Sequence, residues 1–190
     1  MKPYVFNNKT PSSGFALLLS MVVISVVLAI SLSLLNITLK QYTLSATARD
    51  SEISFHAANT MIDCLRLYRL APDTSGAFLS GSGPDINCTG SDQSPTNSSS
   101  IDIGGGETLY VHTYQFNVGS GSDLLCTNAS IYVANAQNGD IDYSLSNEGL
   151  QNFECPTGTT CTMIFARGYN RPCNDLDSIR TVQRELTAQF

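Results

Sequence analysis

Between Phe15 and Leu35 the chain runs for 21 residues without a charge, built from Phe, Ala, Leu, Met, Val and Ile with four serines among them. At 1.5 Å per residue such a helix covers ~31 Å, which matches the ~30 Å hydrocarbon core of a bilayer. A core helix of a water-soluble protein keeps a polar face, and none runs through this stretch. The reading is a membrane-spanning segment. Lys2 and Lys9 precede it and no acid occurs before Asp50. The positive-inside rule therefore puts the N-terminus in the cytoplasm and everything after Lys40 outside.

Glycine and proline, the usual helix breakers, are absent between Gly14 and Pro72. One helix is expected over residues 15–70, roughly 84 Å of rise. In its second half Leu44, Ala48, Ser51, Phe55, Ala58, Ile62 and Leu65 recur at spacings of three and four, which predicts one buried stripe. Arg49, Asp50, Glu52, Asn59, Asp63 and Arg66 occupy the other side. This half is expected to lie on the protein's own β-domain rather than in a dimeric coiled coil.

All six cysteines, Cys64, Cys88, Cys126, Cys155, Cys161 and Cys173, fall on the outer side, where disulfides persist. Six thiols allow about 15 pairings, and spacing does not choose among them. Cys64 sits where a disulfide would tether the helix to the following loop, and Cys88 where one would tie that loop down. Zinc is the weaker reading, because there is no C-x-x-C pair and only His56 and His112 to help. The chain has 16 acids against 10 bases, a net charge of −6. An acidic exterior without a basic stripe argues against direct nucleic-acid binding.

After Ala71-Pro72 the composition turns to Gly, Ser, Asp, Asn and Thr, and Gly81 to Ser100 reads as a long surface loop. Period-two segments follow. Tyr110, His112, Tyr114, Phe116 and Val118 alternate with Val111, Thr113, Gln115 and Asn117. Residues 130–135 and 142–146 flank Asn138-Gly139, a pair suited to a tight hairpin turn. Thr162 to Arg167 is a further short strand. Val182, Leu186, Ala188 and Phe190 form a last apolar face, with Arg184 as its polar intruder. The expected fold class is α+β: a long N-terminal helix packed on four or five antiparallel strands, stapled by disulfides.

Ser13-Gly14-Phe15-Ala16-Leu17-Leu18-Leu19 resembles the cleavage region of a class III signal peptide, the mark of type IV pilin-like proteins. The resemblance implies that a prepilin peptidase cuts between Gly14 and Phe15 and methylates Phe15. It divides the chain into a leader (1–14), a long helix (15–71, transmembrane over 15–35) and an extracytoplasmic β-rich domain (72–190). Loss of the leader would remove two of the bases and leave 16 acids against 8, a charge of −8. Residues 45–59, with Arg49-Asp50 before Phe55-His56-Ala57-Ala58, resemble PilX-type minor pilins. Major pilins carry a glutamate at the fifth mature position; here Leu19 stands there, which resembles minor pilins and the tip pseudopilin of type II secretion.

The function that the resemblance implies is that of a minor subunit of a type IV pilus or related filament, held in the membrane by the apolar helix and assembled by helix–helix packing. Its expected partners are other pilin subunits, the prepilin peptidase and membrane lipid. A secretion-type pseudopilin and a signal-anchored surface binding protein are the alternatives. The chain shows no G-x-S-x-G, H-E-x-x-H or P-loop pattern, so neither catalysis nor a cofactor is expected. Asp140/Asp142 and Asp175/Asp177 suit turn capping better than calcium. N-x-S/T triplets at Asn36, Asn87, Asn97 and Asn128 are explained by an Asn- and Ser-rich composition. The loops 81–100 and 155–161 are the expected recognition surfaces.

Overall fold

The computed structural model describes residues 13–90, 92–119, 124–145 and 152–190. Helix α1 spans Ser13–Leu70 without a break, as the absence of Gly and Pro requires, and ends where Pro72 disfavours helical backbone at Ala71. Thr74 Oγ1 donates to the Tyr68 carbonyl at 2.5 Å, and Arg69 supplies a cation to the last turn. The chain divides into two compact units, residues 1–46 and 47–190. The first contains the apolar stretch of α1, and the second contains the rest of α1 and every strand.

In the second unit a short 3-10 turn (Ser75–Leu79) is followed by β1 (Asn97–Gly104), β2 (Glu107–Val118), β3 (Leu125–Ala136), β4 (Ile141–Tyr143), β5 (Phe153–Cys155), β6 (Thr159–Tyr169) and β7 (Gln183–Gln189). The main sheet has the order β1-β2-β3-β6-β7, with every pairing antiparallel, and β4 and β5 form a separate pair. The expected α+β architecture, with a long helix on an antiparallel sheet held by disulfides, is therefore present.

Two details differ from expectation. Asn138-Gly139 closes no hairpin between β3 and β4, because both edges of β3 are already taken by β2 and β6, and β4 pairs with β5. The buried Glu107 carboxylate holds this connection, its Oε1 accepting from the backbone N–H groups of Gln137 (2.8 Å) and Asn138 (2.6 Å). The tight hairpin lies earlier, where Gly105 and Gly106, both at positive φ (66° and 84°), join β1 to β2. The second difference is that Asn97 to Ser100, expected in a loop, begins β1. The loop before it carries the buried Ile86, which exchanges backbone hydrogen bonds with Gln93.

The central strands are buried on both faces. On one face Ala129, Ile131 and Val133 of β3, with Ile164 and Ala166 of β6, pack with Ala58, Met61, Ile62 and Leu65 of α1 and with Phe78. On the other face Tyr132, Ala134 and Ala136, with Met163 and Phe165, pack beneath Ile141 and Phe153 of the small sheet. This double coverage is why residues 162–167 read as a nearly continuous apolar run rather than a clean alternation.

Candidate functional site: an exposed apolar helix and a stapled head domain

The apolar stretch of α1 is exposed throughout, with Phe15 at 70 % and Leu19 at 55 %. Three of its four serines are satisfied within the helix. Ser20 donates to the Leu17 carbonyl, Ser25 to Val22, Ser31 to Val27 and Thr38 to Leu34, each at 2.8 Å. A helix satisfies its own backbone, and with most side-chain donors also folded inward such a surface presents mainly hydrocarbon. α1 is long and apolar enough to cross a membrane. Gly14 and Phe15, the expected processing residues, lie in its first turn, and the rest of the expected leader, residues 1–12, falls outside the described residues.

The second half of α1 is bound to the sheet by a close backbone contact. Gly168 on β6 has no side chain, and a Cβ there would stand 3.1 Å from Ala57 Cβ and still closer to the helix backbone. The buried stripe is consequently Ser54, Ala57, Ala58, Met61, Ile62 and Leu65. Ala58, Ile62 and Leu65 of the predicted stripe are buried as expected, but its first part is corrected: Leu44, Ala48 and Phe55 are exposed and Ser51 is half-buried. Small residues at 54, 57 and 58 let the helix approach, and the larger Phe55 is turned outward. Ser54 Oγ lies 2.7 Å from the Asp50 carbonyl and 2.9 Å from that of Val182, so its hydroxyl ties helix to sheet edge. Arg184, the polar intruder of the last strand, donates from Nε to Ser51 Oγ at 2.6 Å. Farther along, the half-buried Arg69 donates from Nε to Thr162 Oγ1 (2.9 Å) and from Nη1 to the Ser75 carbonyl (3.3 Å).

Three disulfides choose among the open pairings: Cys64–Cys88, Cys126–Cys173 and Cys155–Cys161. The first joins α1 to the loop ahead of β1, as the positions of Cys64 and Cys88 suggest. The second fixes the segment between β6 and β7 to the start of β3. Cys155–Cys161 closes the turn from β5 into β6.

Two of the four aspartates considered for metal binding, Asp140 and Asp175, have local partners. Asp140 Oδ1 accepts from the Thr157 hydroxyl (2.6 Å) and N–H (2.7 Å), contacts that hold this carboxyl below the usual range. Asp175 pairs with Arg171 at 3.0 Å. Among the described residues no group of three or more His, Cys, Asp or Glu side chains is placed to hold a metal ion. His56 faces Glu52 at 3.9 Å on the exposed side of the helix.

His112 is fully buried, with Nε2 3.0 Å from the Phe78 carbonyl and Nδ1 3.0 Å from Ser98 Oγ. Burial pushes its pKa down, opposed by the Phe78 carbonyl. Tyr114, also buried, donates to the Pro84 carbonyl at 2.8 Å, and burial with the nearby Asp85 raises its pKa. Both side chains anchor the loop between α1 and β1. Period two placed them on one face of β2, but their polar partners are distant in sequence. Comparison with protein-family models, curated proteins and solved structures finds no match to this chain.

Proposed function

We propose that the protein is a minor-pilin-like filament subunit, anchored in the membrane by the first half of α1 before it enters a fibre. The observation that carries this reading is that α1 is exposed, uncharged and predominantly apolar over residues 15–35, whereas its second half is clamped to a disulfide-stapled sheet. Such a segment is stable only in lipid or against other apolar helices, and a filament core supplies the latter environment. A helix with most of its hydroxyls turned inward can move between these two surroundings at little polar cost. The Ser13 to Leu19 pattern supports processing before Phe15, and Leu19 in place of a glutamate supports a minor rather than a major subunit.

Mass spectrometry of sheared and purified filaments tests this. The expected species begins at methylated Phe15 and is 14 residues shorter than the full chain. Retention of Met1 in the native protein, together with its absence from filament fractions, would reject the reading in favour of a signal-anchored surface protein.

A further inference from the structure

Charge is segregated within the β-domain. Between Arg69 and Arg167 there are ten acids and no lysine or arginine. Three of the bases lie where α1 first meets the sheet. Arg49 of α1, with Arg171 and Arg180 of the segment between β6 and β7, lines a groove of about 610 Å³. Arg171 is paired with Asp175, and Asp50 also lines the groove. Arg49 and Arg180 form no ion pair among the described residues. Beside Arg180, Ile179 is fully exposed, and Ile53 and Leu124 supply an apolar floor.

The complementary charge lies on the other face of the sheet. The β4–β5 pair covers the face remote from α1, over Tyr132, Met163 and Phe165, and the Glu154 carbonyl accepts from Gln189 Nε2, across from Met163 on β6. On β4 and β5, Asp142 lies directly across from Glu154, both exposed, while their neighbours Ile141, Phe153 and Cys155 point into the core. Like charges directly opposite one another destabilise a sheet unless a cation lies over them. No Lys or Arg is paired with either carboxylate among the described residues.

We propose that the Arg49/Arg180 groove receives Asp142 and Glu154 of a second copy of this chain. Because the groove lies on the α1 side and the carboxylates on the other face, the contact is heterologous: each copy keeps one free groove and one free acidic face, so the array extends instead of closing as a dimer. The guanidinium groups gain carboxylate partners, the cross-strand repulsion is neutralised, and Ile179 is covered at the rim. The proposal rests on the filament reading and adds that copies follow one another in runs.

The test uses the full chain in vesicles, with Arg180→Lys supplying an amine while keeping the charge. A zero-length carbodiimide reagent applied to mixed isotopically light and heavy protein is expected to join the introduced amine of one copy to Asp142 or Glu154 of another. The mixed-isotope product should disappear in the Asp142→Asn/Glu154→Gln double variant and at about 1 M salt, where the screening length is about 3 Å. Intact disulfides by mass show that the variants are folded. Absence of mixed-isotope product, or its persistence in the double variant, would overturn the proposal. Loss of product when phosphatidylglycerol is added to phosphatidylcholine vesicles would assign the groove to lipid phosphate and overturn it equally. These results are independent of Phe15 methylation, so failure of the head contact and failure of the filament reading are separable.

Discussion

Gly168 on β6 lies directly against Ser54 on α1: a Cβ at position 168 would come within 2.0 Å of the Ser54 carbonyl oxygen and 2.4 Å of the Ala58 nitrogen. Backbone atoms cannot swing aside as a flexible side chain can, so any larger residue must separate helix from sheet. Gly168→Ala is expected to destabilise the β-domain by about 1–3 kcal/mol or more, the usual range for overpacking. Gly76→Ala, with nothing within 4 Å of the added carbon, is the control. Denaturant midpoints in detergent read both, and equal midpoints would show that the contact is not tight.

Arg69 joins the end of α1 to β6 and to the 3-10 turn through Thr162 and Ser75. Its half-buried guanidinium has no carboxylate partner among the described residues, and burial lowers its pKa. Arg69→Ala should cost about 1.5–3 kcal/mol, the range for hydrogen bonds from a charged group. Arg69→Met, which keeps the apolar stem, should recover part of that loss. A full recovery would mean that packing, not hydrogen bonding, is the function of this side chain.

His112 predicts a pH dependence. Because burial depresses its folded pKa, the unfolded chain binds the proton more readily. Its stabilising contribution is therefore complete above the unfolded value of about 6.5 and is lost as pH falls through the folded value. The thermal midpoint should fall from pH 7.5 toward pH 5, and His112→Asn should flatten that slope while lowering the plateau. Carboxylates titrate alike in both proteins, so the difference between the two curves isolates the imidazole. Parallel curves would contradict the assignment.

The three disulfides close loops of different length, with sequence separations of 47 for Cys126–Cys173, 24 for Cys64–Cys88 and 6 for Cys155–Cys161. In the chain-entropy account, removing them costs about 4, about 3 and about 2 kcal/mol respectively. Paired Cys→Ala variants measured by denaturant midpoint should follow that order. A larger loss for Cys155–Cys161 than for Cys126–Cys173 would show that native contacts, not loop closure, dominate.

What could be read from the sequence was whatever a local pattern encodes. Freedom from Gly and Pro over more than fifty residues is a property of the backbone alone, and α1 runs over Ser13–Leu70 accordingly. The period-two pattern from Tyr110 to Val118 located β2 for the same reason, since alternation is local to a strand. Gly104-Gly105-Gly106 offered an equally local signal for the β1–β2 turn and carries more weight than Asn138-Gly139.

Rotation of α1 about its own axis was decided elsewhere. Leu44, Ala48, Ser51 and Phe55 continue an amphipathic stripe as well as Ser54, Ala57 and Met61 begin one, and periodicity does not rank two stripes about a hundred degrees apart. Gly168, more than a hundred residues away, ranks them by giving the helix room only where its residues are small. Cysteine pairing, the partners of His112 and Arg69, and the gathering of Arg49, Arg171 and Arg180 at one groove depend likewise on which strands become neighbours. Sequence alone determined a long helix with an apolar first half and a strand-rich remainder. Tertiary structure decided which faces and charges meet, because those contacts join residues that no local pattern relates.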